Sequence, residues 1–209
     1  MNEYLVPAGF GTAGYIEKKS RFIGAVHPCE SEEEAIAFIR KTGEEHREAR
    51  HHVYAYRIRD NHIMRYSDNG EPQGTAGMPT LEVLRREGVE NVLCVTTRYF
   101  GGVLLGAGGL TRAYAHTAKL ALDAAGIAQM REWIELTVTV PYHLQEQVRR
   151  AIEAAGGVVE DTDYAAEVTF SALIPSEDHA ALSETLLELT AGQVRPTVRG
   201  VKFMGVRIK

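Results

Sequence analysis

Between residues 15 and 26, apolar and polar positions alternate around a charged interruption. Tyr15-Ile16 and Phe22-Ile23-Gly24-Ala25-Val26 flank Glu17-Lys18-Lys19-Ser20-Arg21, so the segment reads as strand with a polar break. Ser31-Glu32-Glu33-Glu34 has the spacing of a capping box, in which the serine accepts from a free amide and Glu34 reaches back. It opens a helix whose apolar stripe is Ala35, Ile36, Phe38 and Ile39 and which ends near Gly43. His52 to Ile58 alternates and is rich in β-formers, which predicts a strand. Ile63-Met64-Arg65-Tyr66 is expected to pair with it across an Asp60-Asn61 turn.

The run from Ser67 to Pro79 carries too many turn formers to be regular structure, and Pro79 suits the first position of a short helix reaching Arg86. Asn91 to Thr97 reads as a buried strand, Gly101 to Gly109 as a second glycine-rich turn, and Leu110 to about Ala125 as a helix closed by Gly126. The character changes near Gln129–Trp133. The C-terminal remainder reads strand (Glu135–Pro141), helix (Tyr142–Ala155), strand (Val158–Thr162), strand (Glu167–Ile174), helix (Glu177–Leu189), strand (Val198–Ile208). That β-α-β-β-α-β order is the ferredoxin-like arrangement. The chain is therefore expected to be α+β, with one domain over residues 1–130 and a second over 131–209.

Composition agrees with two compact domains: 209 residues, 44% hydrophobic and 24% charged. No apolar run approaches the ~20 residues that span a bilayer. Met1-Asn2-Glu3-Tyr4 lacks the basic start and apolar run of a signal peptide. No membrane association and a cytoplasmic location are expected. Cys29 and Cys94 are too few and too far apart for a disulfide framework, which fits a reducing compartment.

A net charge of −5 argues against indiscriminate nucleic-acid coating. The charge is unevenly spread. Residues 129–209 hold 8 basic against 12 acidic side chains, whereas Arg57 to Lys119 holds 8 basic against 6 acidic. Any cationic face must belong to the first domain.

The chemistry concentrates in the glycine-rich stretches. Gly106-Ala107-Gly108-Gly109-Leu110-Thr111-Arg112 offers free amides at a helix start, with a hydroxyl and a guanidinium in the first turn. Arg98, ending the preceding strand, could converge on it to hold a phosphate, a carboxylate or a nucleic-acid backbone. The other reading is that these glycines only permit tight strand-to-helix packing.

Asp68 and Glu71 form a possible polar site, as metal ligands or an acid–base pair. The simpler reading makes Asp68 and Asn69 an Asx-type turn and leaves Glu71 solvated. Adjacent His51 and His52 point to opposite faces of a strand, and neither His46 nor His116 has ligand spacing with them. No metal, cofactor or catalytic set is identified.

Aromatic residues interleave with basic ones: Tyr54, Tyr56 and Arg57; Arg65 and Tyr66; Arg98, Tyr99 and Phe100; Arg112 and Tyr114. Strand-borne aromatics beside arginine can stack bases and hold phosphates. At least half are expected in the core, with Tyr66, Arg98 and Tyr99 the exposed members. The candidate anion- or nucleic-acid-binding set is Arg57, Arg65, Tyr66, Arg98, Tyr99, Gly106, Gly108, Gly109, Thr111, Arg112 and Lys119.

Four motifs in order carry a family resemblance: Ser20-Arg21-Phe22-Ile23; His52-Val53-Tyr54-Ala55-Tyr56-Arg57; Ser67 to Gly77; and Thr97-Arg98-Tyr99-Phe100-Gly101-Gly102 through Tyr114. Together they resemble the IMPACT/YigZ family, formerly an uncharacterised protein family. The resemblance implies a first domain like domain 2 of ribosomal protein S5 and a second like the ferredoxin-type domains of elongation factor G.

It also implies translational control, which eukaryotic relatives exert by binding the activator of an initiation-factor kinase. Bacterial two-domain relatives have been proposed to bind nucleic acid. Met78 stands where a basic residue often follows Thr-Ala-Gly in the family. These features raise three expectations. The first is a translation-associated binding protein contacting RNA or the ribosome. The second is an enzyme or sensor for a small phosphorylated or carboxylated metabolite. The third is a protein-interaction module.

Overall fold

The computed structural model describes residues 3–208; Met1 and Asn2 of the N-terminal segment, and Lys209, lie outside the described residues. The chain forms two compact units. The first comprises Tyr4–Met130 together with the chain from Gly205 on, and the second Arg131–Met204. Both mix helix and antiparallel sheet, giving the α+β class.

In the first unit β1 (Tyr4–Pro7), β2 (Gly11–Glu17), β3 (Ser20–Pro28), α1 (Glu32–Glu45), β4 (His51–Ile58), β5 (Ile63–Ser67), α2 (Gly77–Arg86), β6 (Val92–Tyr99) and α3 (Gly106–Ala125) succeed one another in order. The polar break at Glu17–Arg21 is a hairpin turn. Lys18 and Lys19 take positive φ there, and β2 folds back on β3 with Glu17 opposite Ser20. The sheet order is β2-β3-β6-β4-β5, every neighbour antiparallel.

Alternate residues of a strand face opposite ways, and both faces here are covered. Val26, Ala55, Val92 and Cys94 pack under α2 and α3, while Tyr56, Ile58, Leu93 and Val95 pack under α1. Central β6 is consequently buried from Val92 to Arg98. That double burial explains the unbroken apolar run over residues 92–95.

α1 starts as the capping box predicts, with Ser31 Oγ accepting from Glu34 N–H at 3.2 Å. The Glu34 carboxylate reaches back to Glu30 N–H, one residue before the cap, at 2.8 Å. α2 opens at Gly77 instead of Pro79, and α3 at Gly106 instead of Leu110. Glycine has low helix propensity, so periodicity hides both first turns.

In the second unit β7 (Ile127–Val140), α4 (Gln145–Ala154), β8 (Val158–Tyr164), β9 (Val168–Pro175), α5 (His179–Leu189) and β10 (Thr197–Arg207) alternate as expected for a ferredoxin-like domain. Its strand order is β10-β7-β9-β8, with β7 and β8 each antiparallel to β9. The start of β7, Ile127–Met130, belongs to the first unit and pairs there with β1. Leu136, Val138, Phe170, Val148, Ile152, Leu182 and Leu186 form the second core. Among the described residues, no helix is long and apolar enough to cross a membrane.

Candidate functional site

The strand pairings bring three chain segments to one end of the first unit's sheet. Tyr99, ending β6, lies opposite Arg21 at the start of β3, and Arg98 lies opposite His51 at the start of β4. The Lys18-Lys19 turn, Arg50-His51 and the turn 100–105 therefore meet there. Gly101 makes the approach possible: a Cβ on it would sit 2.0 Å from the Lys19 carbonyl carbon. Ser20 Oγ fastens the junction, accepting from Gly101 N–H at 3.2 Å.

The loop after β5 is held from within. Both Asp68 carboxylate oxygens are used, accepting from Gly74 N–H (2.8 Å), Ala76 N–H (3.0 Å) and Gly77 N–H (2.8 Å). The last two amides open α2, so Asp68 also favours the positive end of that helix. Asn69 does not build the expected Asx turn; its Oδ1 accepts from His52 N–H at 2.7 Å and ties the loop to β4.

Glu71 is not solvated, contrary to expectation. It turns inward, where its Oε1 accepts from Arg98 Nη1 at 2.8 Å and from Tyr114 OH at 2.7 Å. Burial, then the Glu71 charge, push the Tyr114 phenol far above its ordinary range. Arg98 Nη2 donates to Ser20 Oγ at 3.3 Å. Arg98 Nε has no hydrogen-bond partner among the described residues. The guanidinium lies over the rings of Phe22 and Phe100, each centroid 5.5 Å away, where aromatic faces attract a cation.

Arg98 therefore corrects the expectation of an exposed phosphate contact. It faces α3 from a fully covered strand, where a guanidinium is tolerated only when paired. Arg57 is likewise internal in role, its Nη1 donating to Leu84 O (3.2 Å) and Val89 O (2.7 Å). Lys119 is engaged by Asp123 and by Glu87. Arg65 and Tyr99 point to the α1 side of the sheet, where Arg65 approaches Glu32 and Tyr99 OH meets His46 Nδ1 at 2.9 Å. Tyr66 is exposed on β5 and packs its ring edge toward Gly77. These residues form no single basic face.

Gly106, Gly108, Gly109, Thr111 and Arg112 do sit together at the start of α3, which has no side-chain cap. Gly106 has φ +72°, which favours glycine, but a Cβ on Gly108 would meet only its own helix's Arg112 side chain, at 3.6 Å. Tight strand-to-helix packing therefore does not account for Gly106 or Gly108.

Two cavities flank this turn, and Leu105 lines both. One, of about 360 Å³, is lined by Tyr15, Glu17, Lys18, Gly109, Arg112 and His116. Tyr15 OH donates to Glu17 at 2.7 Å, a bond that raises the phenol above its usual range. The other, of about 340 Å³, is mostly apolar: Phe100, Leu104, Leu110 and Pro72 surround Arg50, His51, Glu71 and Arg98 at the α3 start. Leu104 is 82% exposed and Phe100 52%. Lys18, Lys19, Arg50 and Arg112 are exposed and form no ion pair among the described residues.

Sequence reasoning left Lys18, Lys19, Arg50 and Leu104 out of the candidate set, and named Phe100 among the interleaved aromatics without counting it as exposed. The available signal was the polar break in the first strand: read as a hairpin turn, it lies at the sheet end where β6 leaves. Among the described residues, no group of three His, Cys, Asp or Glu is placed to hold a metal ion.

The chain belongs to the IMPACT family. The model for the Impact N-terminal domain matches residues 18–122, and that for a domain of unknown function (DUF1949) matches residues 138–193. It is 33% identical to IMPACT family member YvyE of Bacillus subtilis, over 92% of this chain and 89% of that one. It is 33% identical to IMPACT family member YigZ of Escherichia coli, over 93% and 97%. A solved structure described as a hypothetical protein matches with a TM-score of 0.60 at 32% identity, covering 96% of this chain and 98% of that one.

Proposed function

We propose that this is a translation-associated binding protein of the cytoplasm, which contacts RNA or the ribosome through the first unit's glycine-rich end. One observation carries the reading. Exposed Lys18, Lys19, Arg50 and Arg112, which form no ion pair among the described residues, border an exposed apolar turn at the start of α3, which has no side-chain cap. Fixed cations beside free helix amides attract a polyanion, and exposed apolar side chains add contact area for bases. The IMPACT resemblance supports a role in translation. An enzyme reading has less support, because Asp68 is occupied by three amides and Glu71 is bound to Arg98 and Tyr114.

The test is anisotropy of labelled single-stranded RNA across a salt series. Each phosphate neutralised steepens the fall of log K with log salt by about 0.7. Steep salt dependence, reduced in Arg50→Ala and Arg112→Ala, is the expected outcome. Salt-independent or absent binding contradicts the reading. The exposed Phe100, Val103 and Leu104 favour a second reading, a protein-interaction module. Crosslinks to one ribosomal protein that persist after nuclease digestion support that one.

A further inference from the structure

We infer that the apolar cavity beneath Phe100 and Leu104 takes one splayed-out base of a single-stranded RNA, and that it prefers a base carrying an exocyclic amino group. This rests on the proposed RNA binding and specifies how that surface engages its ligand.

Three features of the cavity set the chemistry. Its wall is flat and apolar: one side of the Phe100 ring lies over Arg98, and the ring's remaining exposure leaves a face for stacking. Leu104, Leu105, Leu110 and Pro72 complete the enclosure. Its floor holds an unused acceptor. Glu71 receives both of its hydrogen bonds at Oε1, so Oε2 carries none among the described residues, although Glu71 is only 9% exposed and lines the cavity. Its rim is anion-seeking, with Arg50 and the Gly106-Ala107 start of α3 on one side, and Lys18 and Arg112 beyond Leu105 on the other.

The occupant must therefore join a planar apolar body, an N–H donor and a negative charge in one compact unit. A nucleotide with an amino-bearing base does so: the ring stacks, the amino group donates to Glu71 Oε2, and the phosphates reach the rim. Carboxylate acceptance from a cytosine amino group is an established pairing. An acidic peptide meets the rim and can offer a backbone N–H to Glu71. Its acidic side chains, however, add negative charge beside that carboxylate, and it has no planar ring body to stack on Phe100. Duplex RNA cannot enter, since its bases are stacked and paired.

The experiment measures anisotropy of labelled oligo(C), oligo(U) and an RNA duplex at low salt, on the wild-type chain and on Phe100→Ala, Leu104→Ala and Glu71→Gln. Oligo(C) should bind tighter than the other two. Phe100→Ala and Leu104→Ala, both at exposed positions that leave the core intact, should weaken oligo(C) about tenfold while leaving duplex binding unchanged. Glu71→Gln should erase the preference for C over U. If all three RNAs bind alike and neither exposed-site variant matters, base insertion is overturned while the RNA reading stands. If no RNA binds but an acidic leucine-containing peptide does, both fall.

Discussion

Glu71 and Arg98 are joined by a 2.8 Å ion pair whose side chains are only 3% and 6% exposed, and this pair ties the loop after β5 to the end of β6. Breaking a buried pair strands one charge, whereas removing both partners is far milder. Arg98→Met should therefore cost about 3–5 kcal/mol in urea unfolding. The double variant Glu71→Leu/Arg98→Met should be more stable than Arg98→Met alone. Equal stability of Arg98→Met and wild type would show that the pair contributes nothing.

The arginines divide by role. Arg57 anchors two backbone carbonyls from beneath α2, so Arg57→Ala should lower the unfolding midpoint and leave RNA affinity unchanged. Arg50 and Arg112 are exposed and unpaired among the described residues, so each alanine variant should lower affinity and flatten its salt dependence without moving the midpoint. Paired thermal melts and binding titrations separate the two classes.

Gly101 tests the junction between the Lys18-Lys19 turn and the end of β6. A methyl group there meets Lys19 backbone at 2.0 Å, and backbone cannot swing aside as a flexible side chain does. Gly101→Ala should destabilise by about 3 kcal/mol, the upper end for overpacking. Gly108→Ala meets no such obstacle and should melt like wild type, so the contrast isolates crowding from glycine loss in general.

His52 gives the first unit a pH signature. Burial, helped by neighbouring His46 and His51, lowers its imidazole pKa in the folded state below the usual 6.5. Between the lowered pKa and 6.5 the unfolded chain binds more protons, so stability there rises with pH. The contribution is full above 6.5 and is lost as pH falls from there toward the folded value. Melts between neutral and mildly acidic pH should show the decline, and His52→Asn should shrink it.

Much of the fold was legible in the chain. The capping box at Ser31, the alternation in His52–Ile58 and the apolar stripes of the second unit each carry a local periodic signal, and each became the element it implied. The site was harder to read, because an arginine's role depends on which way its strand faces and what covers that face. Arg98 and Tyr99 are adjacent and equally suggestive in sequence. One turns into a buried ion pair under α3 and the other toward His46 on the α1 side. Lys18 and Arg50 carry no motif, and only the sheet register brings them to the turn 100–105.

The most direct test of the central claim is ultraviolet crosslinking in cells, comparing wild type with Arg50→Ala/Arg112→Ala at matched expression and matched thermal stability. The binding account predicts RNA covalently recovered with the wild-type chain and largely lost with the double variant. Equal recovery from both, or none from the wild type, would contradict it.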